Sequence, residues 1–169
     1  MRMNSHEKGK LLVISGPSGA GKSTVIGRLM EMRDDVLARI EEIGRLTGIV
    51  EERAPQTVAE YRARLEQKLR ETLDGLPIDD ARVLTECAIF ADRIAVDEET
   101  VRLRSHLSQL KGMAEGESPI GRKMDFLIQE LNRESNTIGS KCQSADIARV
   151  VVDLKAEIEK IREQIQNVE

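Results

Sequence analysis

Two groups of residues in this chain have types and spacings suited to chemistry. The first is GPSGAGKST, residues 16–24, where Gly16, four residues, then Gly21, Lys22 and Ser23 fit a phosphate-binding loop. Gly16, Ser18, Gly19 and Gly21 would let successive backbone N–H groups curl around an anion. Lys22 adds a point charge, Ser23 can hold magnesium, and Thr24 begins a helix whose N-terminus favours negative charge. The second group interrupts apolar seams. Leu103, His106, Leu110 and Met113 keep helical spacing, and Met124, Leu127, Leu131, Glu134 and Ile138 keep the same rhythm, so His106 and Glu134 stand where apolar residues are expected. Burying an ionisable group is costly unless it is paired or bound to a metal, so the two interruptions invite a joint explanation. Glu130 lies one turn before Glu134, and Lys123 and Thr137 share that flank. Two readings stand side by side. Either the carboxylates and the imidazole bind a divalent metal or exchange protons with a phosphodiester, or a buried His and Glu pair fixes helix register.

The elements that must position these groups are almost all helical. Residues 10–15, KLLVIS, read as a short β-strand entering the loop, and TVIGRLMEMR reads as the helix leaving it. Leu37, Ile40, Ile43 and Leu46 predict a helix with a break near Gly48, and after Pro55 a further helix carries Val58, Tyr61, Leu65 and Leu69. The turn DGLPIDD, residues 74–80, precedes a helix with Val83, Leu84, Ala88, Ile89 and Ala91 as its apolar residues. Asp97 is expected to cap the next helix, with Glu98 and Glu99 in its first turn. After a loop at 114–121, one helix runs to Ile138 and ends at Gly139, and the last begins near Ser144. Its Ile147, Val151, Leu154, Ile158, Ile161, Ile165 and Val168 alternate spacings of four and three, a coiled-coil-like seam that must pack on an earlier helix or on another subunit.

Composition agrees with this pattern. Aromatic residues make up 2% of the 169 residues and charged residues 33%, which excludes an all-β fold and suits long helices. The net charge of −4 is unevenly spread. Residues 1–33 hold six Lys and Arg against two acids, residues 34–100 nine against seventeen, and residues 101–169 eleven against eleven. An acidic total argues against gripping nucleic acid by bulk charge, so any such contact must use a local groove or a metal ion. Cys87 and Cys142 fit neither a disulfide framework nor a zinc site, and are expected to be ordinary thiols. No apolar run is long enough to cross a bilayer and the first residues do not resemble a secretory signal, so the expectation is a cytoplasmic protein with no membrane partner.

Residues 121–169, from GRKMDFLIQELNRESNTIGSK to the end, together with FADRIAVDEETVRLRSHLSQL, closely resemble the C-terminal region of the YicC/YloC endoribonuclease family, and RAPQTVAEYRARLEQKL is similar to its helical middle. The resemblance covers about residues 37–169. It implies divalent-metal-dependent cleavage of RNA by a ring-like homo-oligomer, a hexamer. Carried onto matching positions, it nominates His106, Arg122, Lys123, Asp125, Glu130, Arg133, Glu134, Asn136, Lys141, Lys155, Glu157, Arg162, Glu163 and Gln166. Family members also carry an N-terminal domain with strands, whereas residues 10–33 here resemble the start of guanylate kinases, which transfer phosphate from ATP to GMP.

The expectation is therefore a mainly α protein: a helical bundle with a coiled-coil-like C-terminal region and a short N-terminal β-strand/P-loop/helix unit. Its parts are residues 1–36, a kinase-like fragment; 37–96, a helical middle; and 97–169, a YicC-like helical domain. The expected function is metal-dependent hydrolysis of RNA, impaired to the extent that it needs the family's N-terminal domain. His106, Glu130, Arg133 and Glu134 are the catalytic candidates, and His106, Glu130 and Glu134 would hold Mn²⁺ or Mg²⁺. Arg122, Lys123, Lys141 and Arg162 would contact RNA. The alternatives are ATP and Mg²⁺ binding with phosphoryl transfer to GMP at Gly16, Ser18, Gly19, Gly21, Lys22, Ser23 and Thr24, or a helical assembly module without activity.

Overall fold

A computed structural model describes residues 21–73, 78–116 and 121–166. Within them lie five helices: α1 (Lys22–Leu73), α2 (Asp80–Ile94), α3 (Asp97–Glu115), α4 (Gly121–Lys141) and α5 (Ala145–Gln166). No strand occurs among the described residues. The expected strand at 10–15 and the loop residues Gly16, Ser18 and Gly19 lie outside them.

Four of the helices form a bundle. α1 packs on α3 and α5, and α4 packs on the same two from the opposite side. Ion pairs give the directions. Glu51 and Glu41 of α1 meet Arg104 and Lys111 of α3, and Arg39 and Arg53 meet Glu157 and Asp146 of α5. Lys141 and Glu134 of α4 meet Glu99 and Arg102 of α3, so every neighbouring pair of the bundle is antiparallel, and α1 and α4 stand diagonally. The core is aliphatic: Ile43, Leu103, Leu110, Leu131, Ile138, Leu154, Ile158 and Ile161 are each 0% exposed. Close packing is helped by Gly139 on α4, where a Cβ would stand 3.2 Å from Val151 Cγ1 of α5.

α1 corrects the expectation of a break at Gly48 and a restart after Pro55, because one helix of 52 residues runs through both. Its buried positions Val36, Ile40, Ile43, Leu46, Thr47, Val50 and Thr57, with the half-buried Ala54 between the last two, form one continuous stripe, so burial favours a single rod. Thr47 and Thr57 satisfy their hydroxyls by donating to the carbonyls of Ile43 and Arg53. Gly48 lies beneath the Arg104 guanidinium, whose Nη2 would be 3.6 Å from a Cβ there, an ordinary contact. Pro55 is on the exposed side, where water can reach the carbonyl of Glu51 that its missing N–H would have bonded.

α2 packs on α1, where Tyr61 and Phe90 stack with ring centroids 3.9 Å apart. Asp79 caps it by accepting from the N–H groups of Ala81 and Arg82. Its buried residues are Val83, Cys87 and Ile94, whereas Leu84, Ala88 and Ile89 of the expected apolar set are exposed and Ala91 is half-buried. Asp97 is the first residue of α3 and not its cap; Val96 holds the cap position without a side-chain bond. The acids Asp97, Glu98 and Glu99 still occupy the first turn, where the helix dipole favours them. The seam of α5 buries Ile147, Val151, Leu154, Ile158, Ile161 and Ile165 against α1 and α4 of the same chain. It therefore needs no second subunit to cover it.

Candidate metal centre and nucleic-acid groove

The junction of α3 and α4 is where the sequence's polar intrusions meet. α3 turns Leu103, Leu107 and Leu110 into the core, which puts Glu99, Arg102 and His106 along the flank facing α4. α4 buries Leu127, Leu131 and Ile138 and aligns Glu130, Glu134 and Lys141 along the matching flank. Leu107, which the sequence rhythm passed over, moves the centre of the α3 stripe off His106. The imidazole is half-buried as a result.

Three links cross the junction. Lys141 Nζ donates to Glu99 Oε1 and Oε2 at 3.0 and 3.1 Å and to the carbonyl of Ala95 at 2.9 Å. Arg102 spans the next level, with Nε 2.9 Å from Glu134 Oε1 and Nη2 3.1 Å from Glu99 Oε1. The hydrogen bond to Glu134 and that residue's charge, followed by a hydrogen bond to Glu98 and the charge of Glu99, hold the Arg102 guanidinium above its usual proton affinity. At the third level one donor atom from each of His106, Glu130 and Glu134 lies within 4.8 Å of the others. His106 Nδ1 is buried with no hydrogen-bond partner among the described residues.

That donor set has the chemistry of a divalent-cation site. Imidazole nitrogen and carboxylate oxygen bind Mn²⁺ or Zn²⁺, and donors on opposite sides of such an ion stand roughly 4 Å apart. Glu134 is 5% exposed, and Arg102 takes only one of its two oxygens. The imidazole is also not held elsewhere through Nδ1, which is buried without a partner among the described residues at a cost of about 1–3 kcal/mol.

The other nominated residues are dispersed. Arg133 is exposed, with Nη1 3.9 Å from Glu130 Oε2, so it stands at the edge of the cluster. Arg122 and Lys123 are exposed in the first turn of α4, two to three turns away along the helix. Lys141 is tied to Glu99 and Ala95. Arg162 bonds Glu159 and with Arg133 lines a groove of about 450 Å³ between α4 and α5. Gln129, Asn132, Asn136 and Thr137 line the same groove. Glu157 pairs with Arg39 and Lys160 on the α1 side, and Lys155, Glu163 and Gln166 are exposed on α5. Asp125 is half-buried and lends its charge to Arg162. Sequence reasoning missed Arg102, although its position one turn before His106 puts it on the same flank. It also missed Gln129 and Asn132, which recur with Asn136 at helical spacing on α4.

Of the phosphate-loop residues, Gly21 has φ +71°, a left-handed conformation that glycine adopts without strain, directly before α1. Ser23 and Thr24 are exposed in the first turn of α1.

Residues 50–169 match the family model described as "Endoribonuclease YicC-like, C-terminal". The chain is 44% identical over 140 residues to a "Probable endoribonuclease YicC" of Clostridioides difficile (strain 630), covering 82% of this chain and 48% of that one. It is 40% identical over 144 residues to a protein of the same name from Haemophilus influenzae (strain Rd), covering 85% and 50%. It thus spans about half the length of the curated relatives it matches. A stretch of 54 residues is 35% identical to a "Guanylate kinase" of Clostridium perfringens (strain SM101 / Type A), covering 28% of this chain and 25% of the kinase. With the model matched over residues 50–169 and the helices that carry the His106, Glu130 and Glu134 cluster inside that span, the chain belongs to the YicC-like endoribonuclease family through its C-terminal region.

Proposed function

We propose that this chain takes part in endonucleolytic cleavage of RNA, with a divalent cation, Mn²⁺ or Mg²⁺, held by His106, Glu130 and Glu134. One observation carries the reading: these three donors converge within 4.8 Å on a chain whose relatives are named probable endoribonucleases. When bound, the ion would polarise a phosphate oxygen and make a nearby water a stronger nucleophile. The chain's own groups supply the rest. Arg102 orients Glu134 by holding one of its oxygens, and the Lys141 link to Glu99 keeps α3 and α4 in register. Arg122, Lys123, Arg133 and Arg162 offer cationic contacts to a phosphate backbone, with Arg133 placed where the cluster and the α4/α5 groove meet. The ring-like hexamer implied by the family resemblance would have to form through surfaces other than the α5 seam, which the chain itself covers.

Labelled RNA incubated with the protein should be cleaved with Mn²⁺ and remain intact with a chelator. Glu134→Gln and His106→Ala should each slow cleavage by roughly a hundredfold while leaving the helical circular-dichroism spectrum unchanged. Equal cleavage by Glu134→Gln would show that the cluster is not the reacting site.

A second reading rests on the guanylate kinase similarity together with GPSGAGKST. Formation of GDP and ADP from GMP and ATP, lost in Lys22→Ala, would support it. Absence of nucleotide binding and of RNA cleavage together would leave an assembly module.

A further inference from the structure

The outer crest of α4 carries an aromatic ring that the core does not use. Phe126 is one of two Phe in the chain and is 59% exposed, in a protein whose other large apolar side chains on α4 face inward. Three, four and seven residues further on, and so on the same or an adjoining strip of helix surface, are Gln129, Glu130 and Arg133. Phe126 thus stands one turn from a carboxylate of the proposed cation cluster. It is also one turn from the start of the polar groove, where Gln129, Asn132 and Asn136 present amides and Arg133 and Arg162 present guanidinium groups, Arg162 bonded to the Glu159 carboxylate that also lines the groove. A flat apolar face, amide donors and acceptors, and guanidinium groups together form the set that receives unpaired nucleotides: the ring stacks a base, the amides meet base edges, and the cations meet phosphates. A duplex hides its base faces and offers nothing to the ring.

We propose that the α4 crest is a platform for single-stranded RNA, on which one base stacks against Phe126 while the adjoining strand enters the α4/α5 groove. The proposal deepens the RNA-cleavage reading and rests on it for the identity of the polymer. It specifies what that reading leaves open, namely that the substrate is unpaired where it meets α4. Arg133 belongs to both surfaces, since it lines the groove and stands 3.9 Å from Glu130, so a strand held in the groove has its backbone led toward the cluster.

The test is anisotropy of a labelled oligoadenylate of about 12 nucleotides titrated with the whole chain in a chelator, so that binding is read without cleavage and without the cation. Phe126→Ala should weaken binding about tenfold and Phe126→Tyr should bind like the parent, while a duplex of the same length binds weakly to all three. Light scattering accompanies each titration. The proposal is overturned by no binding of oligoadenylate to the parent chain, by unchanged binding of Phe126→Ala, by equal loss for the duplex, or by an altered molar mass of Phe126→Ala, which would make the ring a subunit contact. If the parent binds oligoadenylate through Phe126 but cuts no RNA with Mn²⁺, the platform stands and the hydrolytic reading falls. If it cuts RNA and Phe126→Ala cuts with unchanged KM, the platform falls and the hydrolytic reading stands.

Discussion

Arg102 of α3 places its Nε 2.9 Å from Oε1 of Glu134 on α4, and Glu134 is almost wholly buried while Arg102 reaches it from a half-exposed position. The guanidinium serves three carboxylates, since it also bonds the buried Glu99 and the exposed Glu98. Removing it leaves two buried acids with fewer partners, and a buried charge left without its partner is costly. Arg102→Ala should therefore lower the thermal midpoint. Adding Glu134→Gln to that background should recover part of the loss, because the orphaned charge is then gone. Calorimetry on the two single variants and the double variant measures the coupling; simple additivity would mean that the pair contributes nothing to stability.

A second pair sets an acid dependence. The Arg104 guanidinium of α3 bonds Glu51 of α1 and holds its carboxyl below the ordinary value of 4.5, against the opposing effect of burial. A carboxyl whose folded pKa is depressed contributes stability fully above its unfolded pKa and loses it as pH falls through the folded one. The α1–α3 contact should thus weaken only below about pH 4.5. Urea midpoints measured between about pH 6 and 3 should fall less steeply for Glu51→Gln than for the parent, and parallel curves would exclude the linkage.

Two glycines inside helices should respond oppositely to alanine. At Gly44 of α1 an added Cβ meets nothing within 4 Å, so Gly44→Ala gains helix propensity and should stabilise by about 0.5–1 kcal/mol. At Gly139 the Cβ would press on Val151 Cγ1 at 3.2 Å, and Val151 is fixed in the seam between α4 and α5. There the gain is offset by displacement of a packed side chain, so Gly139→Ala should be no more stable than the parent. Placing it in a Val151→Ala background removes the obstruction and should make the Gly139 substitution favourable. Chemical denaturation of the four variants ranks them.

The sequence made the helices and the chemistry of the cluster legible for a physical reason: periodicity reports burial, so a His and a Glu at core positions are conspicuous. The pairing that matters most around them was not legible. Arg102 and Lys141 are ordinary surface residues by type, and nothing local says that antiparallel packing of α3 on α4 will set Lys141 beside Glu99 and Arg102 beside Glu134. Local signals also misled at Gly48 and Pro55, where glycine and proline read as punctuation. The continuous stripe from Val36 to Thr57 outweighed them, because Gly48 lies under a guanidinium and Pro55 faces water. In α2 the apolar residues were visible but their face was not, since stacking on Tyr61 turned Phe90 inward and left Leu84 and Ile89 outside.

That arrangement gives α2 a different mechanical standing from the other helices. α3, α4 and α5 each pack on two bundle neighbours, whereas α2 packs on the part of α1 that carries Tyr61. Its buried residues number three, Val83, Cys87 and Ile94, and none of them belongs to the main aliphatic core, so little resists its opening. Opening α2 does not expose the aliphatic core of Ile43, Leu110, Leu131 and Ile158, so it need not await global unfolding. Amide hydrogen exchange should therefore be fastest, among the helices, in α2 and in the facing stretch of α1 after Pro55, and slowest in α4 and α5. Phe90→Ala removes the stacked ring and should raise exchange in α2 by roughly tenfold, as expected from losing about 1 kcal/mol or more of aromatic contact, with little change in α4. If α2 and α4 exchange at one common rate, and Phe90→Ala accelerates both alike, then α2 and the bundle unfold as a single unit.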